Sequence, residues 1–357
     1  MAEPNADALQ NDGSSDDAER KDCVVVDTNE LLSSLLLNTA MGAALLFVIQ
    51  QQKAKLGWPE VIEHEIRKQA MRTADEAIAS VGEGLRVLEM LIGSRPDPRL
   101  PSREEVESAV SRRITQLSPL LKRVPFTLEH AKAALQRVND EIPPNAYKNQ
   151  QFKDSAIWEA VLELATTHRV HFVTKDAAFY KGRDIKAGLA KDLSSECARA
   201  GLQVDIYSEL AACVEALRPA APPFDVTAVT AALDSHLKTQ LSPEVAKRDF
   251  DICEIIKSSV SAFVTERLRV LAIKFDITYA GTDASAEMPP RAEVSIRASG
   301  NAQFEMSSGI VSGVQLDEVE TRYVDAEGEH KHRSLYLRAM GMVGERTVHH
   351  RIEYPIF

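Results

Sequence analysis

The chain has 357 residues, with 42 Lys and Arg against 53 Asp and Glu, so its net charge is −11. That length suits two domains of ordinary size. A content of 44% hydrophobic and 27% charged residues excludes wholesale disorder, a collagen-like repeat or a coiled coil alone. The acidic balance argues against a protein that coats nucleic acid by charge alone, but it leaves room for an enzyme with a local basic track.

Residues 1–22 hold seven acids and two bases and almost no large apolar side chain. Such a segment cannot bury enough surface to offset its ordering entropy, so a disordered acidic tail is expected. It lacks the basic and apolar regions of a signal peptide. The most apolar stretch, Leu31 to Ile49, contains Ser33, Ser34, Asn38, Thr39 and Gly42. These are too many polar and small groups for a membrane span, so a buried helix is expected there and no membrane partner. The four cysteines, Cys23, Cys197, Cys213 and Cys253, include no C-x-x-C pair. They exclude a zinc ribbon or thioredoxin-like motif and fit a reducing cytoplasm.

Cys23 to Val26, Val170 to Val173 and Leu202 to Tyr207 read as short apolar strands of the kind buried in parallel sheets. A further short strand is expected near Arg183 to Ile185. Helical patterns fall at about 30–53, 59–92, 102–122, 126–141 and 154–168. Pro59 suits a first helical turn. The fold class is therefore α/β, a small, mostly parallel sheet flanked by helices, over residues 23–217. The Pro/Ala-rich segment 218–223 cannot continue a helix and marks a linker. Residues 224–357 read as a smaller α+β domain with antiparallel strands. Its helices are expected at 226–240 and 244–262, and its strands at Arg267–Tyr279, Ala292–Arg297, Ser334–Met340 and Arg346–Tyr354, with Gly300-Asn301, Gly313 and Gly328 as punctuation.

Ligands of open parallel sheets bind outside the carboxyl ends of the strands. Asp27 directly follows Val24–Val26, and Asp176 follows Phe172–Lys175. Two more acids are placed by helix geometry. In Trp58-Pro59-Glu60-Val61-Ile62-Glu63-His64-Glu65-Ile66, the apolar positions define a core-facing stripe, and Glu65 lies on it or at its edge. Asp154 precedes Ile157 and Trp158 by three and four residues, so it begins the inward face of its helix; an N-cap is its other reading. Converging carboxylates at the mouth of a sheet suit hard divalent cations such as Mg²⁺ or Mn²⁺, which activate water and stabilise phosphoryl displacement.

The string Val24-Val25-Val26-Asp27-Thr28-Asn29-Glu30-Leu31-Leu32 resembles the opening of a PIN domain, a family of metal-dependent nucleases. Pro59-Glu60-Val61-Ile62-Glu63-His64-Glu65, Lys153-Asp154-Ser155-Ala156-Ile157-Trp158 and Phe172-Val173-Thr174-Lys175-Asp176 are similar to the family's later acidic segments, in the same order. Pro143-Pro144 followed by a Lys-rich loop and D-x-A-I-W looks most like a bacterial PIN-like subgroup. The resemblance covers about residues 22–210. It implies that Asp27, Glu65, Asp154 and Asp176 are the catalytic, metal-binding acids, taking one or two Mg²⁺ or Mn²⁺ ions. It also implies hydrolysis of phosphodiester bonds, with single-stranded RNA the expected partner and DNA the alternative. Thr28 and Asn29 match the start of the motif and Thr174 a supporting hydroxyl. Ala177-Ala178-Phe179 departs from the family, many of whose members carry a further acid just after the T-x-D aspartate; the next acid here is Asp184.

Two function classes follow. One is a metal-dependent endoribonuclease. The other is a catalytically weak PIN-like module that acts by assembly, through a protein partner or self-association of residues 224–357. Residues 23–221 hold 25 bases and 26 acids, and the rest of the chain beyond them 15 and 20. The acidity thus lies mostly outside the expected site. Lys148, Lys153, Lys175 and Lys181 flank the acids in sequence and are the expected contacts to substrate phosphates. His64-Glu65-Ile66-Arg67-Lys68 lacks the second histidine of a zinc-protease helix, and Gly82-Glu83-Gly84 is no phosphate loop. Glu329-His330-Lys331-His332 and His349-His350 are read as solvated strand or turn faces rather than ligands.

Overall fold

The computed structural model describes residues 20–94, 99–217, 223–267, 269–285, 291–325 and 327–335. Ten strands and nine helices are formed among them. The acidic tail expected over 1–22 falls outside the described residues up to position 19; Arg20 donates to the Ala165 and Gly201 carbonyls, and Asp22 already belongs to the first strand.

The N-terminal sheet contains β1 (Asp22–Val26), β2 (Lys55–Pro59), β3 (Leu121–Val124), β4 (Arg169–Val173) and β5 (Val204–Tyr207), all parallel, in the order β3-β2-β1-β4-β5. Strands buried on both faces explain the unbroken apolar runs in β1 and β4. The helices α1 (Thr28–Ser33), α2 (Ala40–Gln51), α3 (Glu60–Ile92), α4 (Arg103–Leu117), α5 (Leu128–Asn139), α6 (Phe152–Ala165), α7 (Lys191–Arg199) and α8 (Leu210–Leu217) flank it. Trp58, Trp158, Phe172 and Phe179 fill the core between helices and sheet.

Several expectations are corrected by the structure. The helix expected over 30–53 is two helices, because Ser34 turns its hydroxyl back onto the Glu30 and Leu31 carbonyls and Thr39 caps α2 through the Gly42 amide. Between them Leu35, Leu36 and Leu37 all hold left-handed backbone, with φ of 51°, 54° and 60°. Such a turn costs about 1–2 kcal/mol per non-glycine residue. Arg113 of α4 offsets part of that by donating to the Leu36 and Leu37 carbonyls at 2.9 and 2.7 Å. Gly42 completes the fit, since a Cβ there would lie 2.4 Å from Leu37 Cα.

Two strands, β2 and β3, form where helix starts and ends were read. Gly57 and Pro59 disguise β2, yet Gly57 is required by packing: a Cβ would meet Leu164 and Val25 side chains at 2.7 Å. Pro59 closes the strand and leads into α3 rather than sitting inside its first turn. Pro119 ends α4 in a short 3-10 turn, and β3 follows. No strand forms near Arg183 to Ile185, where Lys181–Arg183 is a 3-10 turn.

The linker segment 218–222 lies outside the described residues. Beyond it, α9 (Val226–Ala246) packs on one face of a five-stranded antiparallel sheet of β6 (Phe250–Val264), β7 (Val270–Asp283), β8 (Ala292–Glu305), β9 (Ile310–Asp325) and β10 (Gly328–Leu335), each strand beside the next. The helix expected over 244–262 is mostly strand β6, whose register shifts around Ile255 break the alternation that would have revealed it. Gly300 lies inside β8 rather than ending a strand, where a Cβ would stand 2.1 Å from the Gln315 carbonyl oxygen. Gly313 falls within β9 at φ 58°, a strand not read from the sequence. Ser334 and Leu335 end β10, while the remainder of that expected strand, the strand at Arg346–Tyr354 and His349-His350 lie outside the described residues. Phe263 and Ala272 of the second sheet join the N-terminal core, with β6 and β7 against α2. No helix among the described residues is long and apolar enough to cross a membrane.

Candidate metal centre at the sheet mouth

In the strand order β3-β2-β1-β4-β5 the chain runs outward from β1 through β2 and β3, then returns to the other side of β1 as β4. The connections from β1 and β4 therefore leave in opposite directions, opening a crevice at their carboxyl ends. The Asp27 amide donates to the Val173 carbonyl at 2.9 Å, fastening the two strand ends together.

Asp27 is buried at the head of α1, where one oxygen accepts from the Thr28 amide at 2.7 Å and the other from the Thr174 hydroxyl at 2.9 Å. The same Thr174 hydroxyl accepts from the Asp176 amide at 3.0 Å, so one fully buried side chain ties both acids together. Asp176 caps the 3-10 turn Ala177–Phe179, accepting from the Ala178 amide at 2.8 Å, and Gln151 reaches its other oxygen at 3.4 Å. Glu65 is half-buried on α3 and accepts from Thr28, Gln69 and Lys153, each at 3.0 Å. Asp154 is the third residue of α6, not its cap; that place belongs to Gln151. Alone of the four acids, Asp154 accepts no hydrogen bond among the described residues. Its position in the first turn leaves it facing the positive end of the helix dipole.

The electrostatics tie the four together. Burial pushes the Asp27 carboxyl up to about 6, against the hydrogen bonds from Thr174 and Thr28, and the charges of Asp176 and Glu65 push it further. Burial likewise pushes Asp154 up to about 7, with Asp176, Asp27 and Glu65 adding to the rise and Lys153 opposing it. The charges of Asp176 and Glu65 thus act on both Asp27 and Asp154, which places the four within reach of one another.

Of the remaining expected residues, Thr28 is buried and holds Glu65, whereas Asn29 is exposed on α1 and its side chain makes no hydrogen bond among the described residues. Lys153 and Lys175 are engaged by acids, Lys153 with Glu65 and Lys175 with Glu30 at 2.9 Å. Lys148 is exposed over the Tyr147 ring, and Lys181 is exposed with no ion pair among the described residues. The sequence reading missed Glu30, a buried acid at the same mouth, although an acid opening a leucine run three residues after Asp27 was a visible signal. It also missed Gln69 and Gln151, which position Glu65 and Asp176 and which nothing in the sequence singles out. His64 stays solvated beside Glu60, and His330 and His332 stack on Tyr323 as part of a strand face.

The donor set fits a hard divalent cation: oxygen ligands only, excess negative charge, and Asp154 with its oxygens uncommitted. It is not closed. Among the described residues no group of three or more His, Cys, Asp or Glu is drawn in tightly enough to enclose an ion. Glu65, held by three donors, is the acid furthest from serving as a bare ligand.

Comparison with curated proteins and with solved structures returns no match. The family comparison matches residues 24–179, which span β1 through the turn after Asp176 and contain all four acids. The family matched over those residues is the PIN domain.

Proposed function

We propose that the protein is a divalent-metal-dependent endoribonuclease. The observation that carries this reading is the buried Thr174 hydroxyl that ties Asp27 to Asp176 at the β1–β4 crevice, where burial first, and then the charges of Asp176 and Glu65, raise Asp27 and Asp154. Asp27, Asp154 and Asp176 would hold Mg²⁺ or Mn²⁺, with Glu65 completing the set. A bound ion there supplies an activated water and charge stabilisation for phosphodiester hydrolysis.

The chain's own residues do the positioning. Thr174 fixes Asp27 and the Asp176 backbone, and Thr28 and Gln69 fix Glu65. Lys153 neutralises Glu65 until a substrate phosphate competes for its ammonium, and Lys148, Lys175 and Lys181 line the approach as further phosphate contacts. Residues 23–217 form the nuclease domain in this reading, 218–223 the linker, and 224–357 a recognition or assembly domain. A cytoplasmic setting agrees with four free cysteines, of which burial pushes Cys23 up to about 12 and Cys197 up to about 11, so that neither is a reactive thiolate.

Cleavage of mixed single-stranded RNA with Mn²⁺ tests the proposal. Wild type should cut, and Asp27→Asn and Asp154→Asn should each lose on the order of 100-fold or more of the rate. Equal rates in all three, or no cleavage by wild type with any divalent metal, would sink it. The unclosed acid cluster and the missing acid after Asp176 favour the second reading, a catalytically weak module acting by assembly. It predicts a stable oligomer by light scattering and no nuclease activity.

A further inference from the structure

Two exposed aromatic rings stand beside the acid cluster without a core to serve. Phe126 follows the end of β3, Phe152 opens α6, and their rings meet edge to face with centroids 6.5 Å apart. They are 39% and 41% exposed, and neither belongs to a hydrophobic core cluster. The core phenylalanines Phe172 and Phe179, by contrast, are almost wholly buried. Both rings are held in place. The Phe126 amide donates to Glu60 Oε2 at 2.8 Å, at the first residue of α3, and Phe152 precedes Lys153, whose ammonium sits 3.0 Å from Glu65.

From that pair a basic stripe runs along α3. Lys68 and Gln69 lie three and four residues after Glu65, and Arg72 lies four and three after them, which places all four on one helix face. With Lys153 and Val61 they line a hollow of about 410 Å³. Lys68 makes no ion pair among the described residues, and the bond of Arg72 to Glu76 is long, at 3.8 Å, and exposed on both sides. A second hollow, also of about 410 Å³, shares His64 with the first and is lined by Glu60, Glu63, Arg67, Arg123 and Pro125; Glu63 pairs with both arginines, so this hollow adds no free cation. The ring pair adjoins the first, basic hollow through Phe152, whose chain neighbour Lys153 lines it together with Lys68 and Arg72.

We propose that Phe126, Phe152 and the Lys68–Arg72 face of α3 form a binding track for single-stranded nucleic acid. Unpaired bases stack on the rings while the phosphates follow the cations, the combination by which strands are held without regard to sequence. A duplex keeps its base faces inside its own stack and cannot use the rings. That the track delivers the strand to the acids rests on the nuclease reading; that it binds the strand does not.

The test is fluorescence anisotropy with the full chain in EDTA, so that binding is read without turnover. The probes are labelled single-stranded RNA of about 10 nucleotides, the same sequence as DNA, and a duplex of the same length. Wild type should bind both single strands and prefer them to the duplex. Phe126→Ala/Phe152→Ala should weaken single-strand binding by roughly 10-fold or more, while Phe126→Tyr/Phe152→Tyr, which keeps the rings, should retain it. Lys68→Ala/Arg72→Ala should lower the slope of log affinity against log salt by about 1.4, the loss of two phosphate contacts on a single strand. An unchanged salt slope, alanine rings that bind as wild type does, a duplex bound as tightly as the single strands, or no binding by wild type would each overturn the track. Binding that survives while metal-dependent cleavage is absent would count against the nuclease reading alone.

Discussion

Replacing Asp154 by asparagine should make the metal-free protein more stable, by an amount that grows with pH. Its carboxyl titrates at about 7 in the folded chain, against 3.8 for the ordinary side chain, because it is buried among Asp176, Asp27 and Glu65. An acid whose value is raised on folding costs nothing below pH 4. It costs progressively more as the unfolded chain ionises and the folded one does not, and the cost levels off above the folded value. At about 1.4 kcal/mol per pH unit, Asp154 costs roughly 2 kcal/mol at pH 5 and up to about 4 kcal/mol at pH 8. The variant should recover that difference. Urea unfolding in EDTA across this range reads it directly, since both tryptophans, Trp58 and Trp158, report from the N-terminal core. Titrating groups away from the crevice cancel in the comparison with wild type. A gain that does not change with pH, or a loss at every pH, would refute the claim that Asp154 is buried among like charges.

Adding Mn²⁺ at pH 8 should raise the melting temperature of wild type and not that of Asp154→Asn, because an ion that binds only the folded state stabilises it and the variant lacks a ligand. Gly42→Ala should cost about 1–3 kcal/mol, because its methyl group would press on the Leu37 backbone; an unchanged melting temperature would show the left-handed turn to be looser than described. Arg137 is buried between Glu159 and Glu196, with Trp158 donating to Glu196 at 3.0 Å. Arg137→Ala should cost about 3–5 kcal/mol by stranding two carboxylates, measured by urea unfolding at neutral pH. A smaller effect would mean that water reaches the pair.

The sequence announces the acidic mouth more clearly than the fold around it. Val24–Val26 and Val170–Val173 are apolar because both faces of a central strand are covered, and the acids after them stand where such strands open. Glu65 and Asp154 could be placed because helical spacing from Ile62, Ile157 and Trp158 fixes direction. The strands that escaped notice are those whose composition serves another demand. Gly57 in β2 makes room for Leu164 and Val25, Lys122 and Arg123 of β3 lie at an edge, and β6 loses its alternation where the register shifts. The break between α1 and α2 was visible in Ser34, Asn38 and Thr39, the same residues that argued against a membrane span. Glu30, Gln69 and Gln151 depend on contacts between distant segments, and only the folded chain brings those together.

The central claim is that Asp27, Asp154, Asp176 and Glu65 serve one divalent ion site. Anomalous diffraction from crystals soaked in Mn²⁺ tests it most directly. The account predicts a manganese peak in the crevice between the ends of β1 and β4, with Asp27, Asp154 and Asp176 oxygens about 2.0–2.2 Å away. A crevice that stays empty at saturating Mn²⁺, or a peak bound only elsewhere on the chain, would contradict it.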